Sequence, residues 1–237
     1  MQAPGATVRH LFERKEPPVN LLRNHGWRLA LVASGVVMLA GGPMHPASDA
    51  EHPLREELAI MTAHPDWVPA HVLIMISTVL LAAGLVIAHR RQAWPGVQRA
   101  LGFAAVAVTV YVVETAFHLA AVVDSHALHH GGAAPVAFTH LGLSLLLYPV
   151  TGLAVAYLAA RQLADWSGPR RFAGLPGVVG GLLHAVSVPL TMALPDTELT
   201  PAFAGASILF AVWALATGLA GAPRPAAVAT PREPVPV

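Results

Sequence analysis

Residues 100–123, ALGFAAVAVTVYVVETAFHLAAVV, decide the fold. The run is as long as the roughly 17–25 apolar residues that a helix needs to cross a bilayer. Within it stand one carboxylate, Glu114, and one imidazole, His118, four residues later. On a helix that spacing puts both side chains on one face. An ionisable group at membrane depth costs about 3 kcal/mol or more. Glu114 is therefore expected to face the interior of a helix bundle and to have a partner there.

Working outward, five more stretches have the same character: residues 27–44, 67–88, 136–160, 175–194 and 201–219. Pro43 and Pro46, Pro95-Gly96, Gly131-Gly132, Gly168-Pro169, Pro195 and Pro201 punctuate the gaps between them. Of the 237 residues, 55% are hydrophobic and 11% charged, against about 25% charged in soluble domains. The expected fold is all-α, a six-span transmembrane helix bundle. Residues 1–26 form an N-terminal segment, 27–220 the membrane domain and 221–237 a disordered Pro/Ala-rich tail. The polar leader before the first span is long for a signal peptide, so that span reads as a retained helix.

Lys and Arg set the orientation. Arg9, Arg14, Lys15, Arg23 and Arg28 precede or open the first span, and Arg90, Arg91 and Arg99 lie between the second and third. Arg161, Arg170 and Arg171 lie between the fourth and fifth, and Arg224 and Arg232 follow the sixth. Six spans bring all of these to one side, leaving Arg55 alone opposite. Both termini are expected to be cytoplasmic, in a multi-pass protein of the cell membrane whose first partner is the lipid bilayer. Further membrane-protein subunits are compatible with this layout. A net charge of +1 gives no basis for nucleic-acid binding.

The chain has no cysteine, 13 histidines and 6 methionines. Disulfides, thiolate metal sites, iron–sulfur clusters and covalently attached haem are thereby excluded. His71, His118, His140 and His184 fall inside four consecutive spans. The first three lie about four or five residues from the non-cytoplasmic ends, and His184 lies nearer mid-span. One imidazole from each of four neighbouring helices, with Glu114 beside His118, is the pattern of a ligand set. Met75, one turn from His71, adds a soft thioether. Imidazole with thioether suits copper. Thr115, Thr139, Ser144 and Tyr111 are available to orient the imidazoles. His45, His52, His64, His126, His129 and His130 read as surface residues of the outer loops.

Glu114-x3-His118, then Phe138-Thr139-His140, then Tyr148-Pro149 resemble a pattern in the C subunit of copper-dependent membrane monooxygenases. There an Asp-x3-His pair precedes a helix that opens on Phe-Thr-x-x-His and continues to Tyr/Phe-Pro. The resemblance covers about residues 114–161, with Glu in place of Asp, and implies Glu114, His118 and His140 as copper ligands. In architecture, six spans with histidines on the central four resemble the cytochrome b561 family. That likeness implies haem b held by a histidine pair, His118 with His184.

Three function classes follow. The favoured one is a membrane metalloprotein that uses copper in redox chemistry or copper handling. A haem-b electron-transfer protein and a metal transporter are the alternatives. Zinc, held by three imidazoles beside a Glu, is the other metal the residues admit.

Overall fold

The computed structural model describes residues 18–47, 51–194, 197 and 199–221. Residues 1–17 of the expected N-terminal segment 1–26 and residues 222–237 of the expected tail 221–237 lie outside the described residues. Backbone groups in a bilayer must bond to one another, and each apolar run accordingly becomes one helix. The long helices are α1 (Pro18–Gly41), α3 (Trp67–Arg90), α4 (Gln98–Ala120), α6 (Pro135–Asp165), α7 (Gly174–Ala193) and α8 (Thr200–Ala220). All six are long and apolar enough to cross a membrane, and the chain is a multi-pass membrane protein. No strand occurs among the described residues. α1 begins at Pro18, so part of the expected N-terminal segment is already helical.

The six long helices close into a ring in chain order. α1 packs on α3, α3 on α4, α4 on α6, α6 on α7, α7 on α8, and α8 returns to α1. Apolar packing alone gives no preference over lipid, so close approach and polar contacts must hold such a ring. At α6–α7 a Cβ on Gly152 would strike Gly181 O and the Ala185 backbone. Only glycine lets those two backbones touch. At α1–α3, Ser77 donates its hydroxyl to Ser34 O at 2.9 Å. At the closing seam, Arg28 donates Nε to Gly218 O at 2.8 Å and a second N–H to Leu219 O at 2.6 Å. Those carbonyls belong to the last turn of α8, where helical partners run out.

The ring is filled differently at its two ends. Toward the end bearing Arg28, Arg90 and Arg161, Leu31, Leu85, Leu101, Leu158, Trp94 and Trp213 are fully buried in one apolar cluster. Toward the other end the interior is polar and aromatic. Two short helices that hydropathy does not reveal lie over that end: α2 (Leu54–Ala63) and α5 (Ser125–His129). Leu58 and Ala59 of α2 and Leu128 of α5 bury with Trp67, Ala121, Ala134 and Ala137.

Arg55 proves to be no stray surface charge. It donates to the carbonyls of Leu128 (3.3 Å), Ala127 (3.0 Å) and Gly132, tying α2 to the end of α5. Asp124, also buried, accepts the backbone N–H groups of Val136 (2.6 Å) and Ala137 (2.9 Å). It caps α6 from a distance, since a carboxylate there satisfies orphan donors and matches the helix dipole.

Candidate metal centre

Four imidazoles meet under α2, and one of them was not expected. His71 sits one turn into α3, His118 in the last turn of α4 and His140 in the second turn of α6. His45, just beyond the short helical turn Gly42–Met44, folds back over them. The His71 ring lies 4.8 Å from that of His45 and 4.2 Å from that of His118, centre to centre. His118 lies 5.7 Å from His45 and stacks on His140 at 3.9 Å. The expectation that His45 is a surface residue is corrected: it is half-buried, wedged beside Trp67 and His71. The signal was its place two residues after Pro43, where the chain turns back across the ring.

The hydrogen bonds fix which nitrogens are free. His71 Nδ1 contacts Trp67 O at 2.6 Å, and His45 Nδ1 contacts Pro46 O at 2.8 Å. A carbonyl oxygen only accepts, so both Nδ1 atoms carry the proton and both Nε2 atoms carry a lone pair. His71 Nε2 is buried with no partner among the described residues. A metal-bound histidine normally has this arrangement, with its other nitrogen held by a carbonyl. Burial also pushes the His45 pKa below its usual value, which favours the neutral form that binds metal.

Glu114 is fully buried in α4. Its Oε1 accepts the Ser144 hydroxyl at 2.8 Å and lies 2.9 Å from His140 Nδ1 and 3.8 Å from His118 Nδ1. Its Oε2 has no hydrogen-bond partner among the described residues, and no Lys or Arg pairs with it there. An unsatisfied buried polar atom costs about 1–3 kcal/mol, more if charged. A cation would relieve that cost.

Among the described residues, two groups have ligand atoms that all lie within 4.8 Å of one another: His45–His71–His118 and Glu114–His118–His140. The first is the better mononuclear set. Its rings meet at 51–71°, so their lone pairs can converge. His118 and His140 are within 21° of parallel, and stacked rings aim their lone pairs side by side. His140, held by Glu114 and Ser144, lies against the first set as a second layer.

His184 and Met75 do not join. His184 is nine residues before the end of α7, roughly 13 Å down the helix at 1.5 Å per residue. It stacks on Tyr148 at 4.2 Å, with Tyr111 at 5.2 Å and Phe210 at 5.0 Å. Met75 is half-buried and borders neither of the two cavities that touch the cluster. Its neighbour Ile74 is the residue of that turn of α3 that lines one of them. Met38 and Met61 do border those cavities, one each.

Of the four residues expected to orient imidazoles, Ser144 does so. Thr115 bonds within its own helix, Tyr111 joins the wall around His184, and Thr139 is exposed. His64, His126, His129 and His130 are exposed, and His52 pairs with Glu56 at 3.4 Å. Comparison with known proteins returns nothing: no family model, curated protein or solved structure matches the chain.

Proposed function

We propose that this chain is a membrane copper protein, with the ion held by His45, His71 and His118 at the end of the bundle covered by α2 and α5. One observation carries the reading. The buried His71 Nε2 has no hydrogen-bond partner among the described residues, while its Nδ1 is fixed by Trp67 O. Glu114 and His140 supply a carboxylate–imidazole pair next to the ion, able to hold or release a proton there. Met38 and Met61 beside the cavities offer soft thioethers, which favour copper over harder ions. The role is redox chemistry or copper handling in the cell membrane. The arginine-rich end, with both termini, faces the cytoplasm.

Zinc is the second reading, because three imidazoles beside a buried Glu also match a catalytic zinc site. Haem finds less support. The clustered imidazoles pack 3.9–5.7 Å apart, too close for a macrocycle between any two of them. The expected pair, His118 and His184, share only the smaller of the adjacent cavities. The adjacent cavities, about 130 and 160 Å³, are well below the roughly 300 Å³ where pockets for larger ligands begin. Permeation finds less support too, since the apolar cluster around Leu85, Leu101 and Leu158 fills the ring below the site.

The test is elemental analysis and an absorption spectrum on protein purified into lipid nanodiscs from metal-replete cells. One copper per chain is expected in wild type, with none in His71→Ala or His118→Ala and full loading in His126→Ala. Stoichiometric zinc would move the reading to zinc, and a Soret band would move it to haem. A wild type no richer in metal than His71→Ala would sink it.

A further inference from the structure

Below the imidazole cluster lies a cavity that borders His45 and His118 at one end and reaches beyond the metal centre to His184. It has a volume of about 130 Å³ and runs between α1, α3, α4, α6, α7 and α8. Its lining is mostly apolar and includes Tyr111, Tyr148, Phe203 and Phe210. His184 is only 8% exposed, and its Nε2 has no hydrogen-bond partner among the described residues. Its ring is clamped by Tyr148, 4.2 Å away and within 11° of parallel. The structure therefore presents a mostly apolar, aromatic-walled space that is bordered, away from His45 and His118, by a buried imidazole whose Nε2 is unpaired among the described residues.

We infer that this cavity binds a phenol-sized molecule: one aromatic ring bearing one hydroxyl, with the hydroxyl on His184. Size limits the ligand, because an apolar cavity of about 150 Å³ takes up benzene. The aromatic walls favour a ring, since aromatic pairs gain from edge-to-face and offset contacts beyond burial alone. A hydroxyl is the fitting polar group. It both donates and accepts, so it meets His184 Nε2 in either tautomer. The pocket stands on the lining around His184 and on its unpaired nitrogen, and needs no metal at His45 or His118, which border its other end.

Fluorine NMR of para-fluorophenol and fluorobenzene added to the full chain in lipid nanodiscs tests the proposal. Nanodiscs carrying Ala206→Phe, which fills the cavity, report partition into lipid. Para-fluorophenol is expected to bind wild type in saturable excess over Ala206→Phe. Fluorobenzene should bind about tenfold more weakly, the worth of one buried hydrogen bond. His184→Leu should bring para-fluorophenol down to the fluorobenzene level. Chelator-treated wild type should bind as before, which separates this pocket from the metal reading. Equal uptake by wild type and a folded Ala206→Phe would overturn the inference, as would equal affinity for the two ligands. The two-ligand comparison uses wild type alone, so it decides even where Ala206→Phe fails to fold.

Discussion

The two ends of the bundle use the same six helices for opposite purposes. At the arginine-rich end, Leu85, Leu101, Leu158 and Trp213 close the interior, and Trp213 donates to Gln162 Oε1 at 2.8 Å. At the other end the helices present imidazoles, a carboxylate and hydroxyls to one another, leave two cavities, and need α2 and α5 as a cover. A membrane interior filled with small and apolar residues gains packing and little else. Among the described residues, unpaired buried atoms occur at both ends. At the arginine-rich end they belong to indole, amide and hydroxyl groups of Trp94, Trp166, Gln98, Gln162 and Thr217, and at the polar end to the ionisable groups of His71, Glu114 and His184. Apolar packing dominates one end, and groups able to ligate an ion or exchange a proton dominate the other.

Substitutions can break that contrast, and the largest expected effect is at the polar end. His118→Ala removes the residue shared by both ligand groups, so bound metal should be lost altogether, read by elemental analysis. Retained metal would show that the histidine end is a structural network. Next comes Leu158→Ala at the sealed end. A buried Leu→Ala change costs about 2–5 kcal/mol through the cavity it leaves. The thermal midpoint of the apo protein should fall sharply, while metal per folded chain stays at the wild-type value.

Two smaller effects sharpen the comparison. Asp124→Ala removes the distant cap of α6 and should cost about 1–2 kcal/mol, read by thermal unfolding, with a modest loss of metal affinity because His140 rides on that helix start. Ser144→Ala removes one hydrogen bond to Glu114. It should weaken metal binding about tenfold, as loss of an outer-shell partner does, with little change in the apo melting curve. If Ser144→Ala destabilised the fold as much as Leu158→Ala, the division of labour between the ends would fail.

Much of the fold was legible because a bilayer imposes a length and a composition, and residues 67–88 and 201–219 declare themselves on both counts. What escaped was amphipathic and short. α2 has 10 residues and α5 has 5, and their few apolar positions are lost among Pro, His and acidic side chains. Arg55 was visible as the one basic residue on its side, but its partners are backbone carbonyls, which leave no mark in a sequence. Within the site, equal depth on antiparallel helices picked out His71, His118 and His140. The same argument left His184 about two turns too deep, and it said nothing of His45, which reaches the cluster from a turn rather than a span. Met75 shows the limit of one-turn spacing, since being near a ligand along a helix is not the same as facing its way.

The seam between α1 and α8, tied by Arg28 to the carbonyls of Gly218 and Leu219, makes the helix order cyclic. Each long helix is flanked by its chain neighbours, and the first and last are neighbours too. Where the polypeptide starts is then a matter of genetic bookkeeping rather than of architecture. A circular permutant that joins residue 221 to residue 18 through a linker and opens at the Gly168 turn would keep the contacts between the long helices and the four clustered imidazoles in place. The molecule is a helical barrel whose origin of numbering is arbitrary.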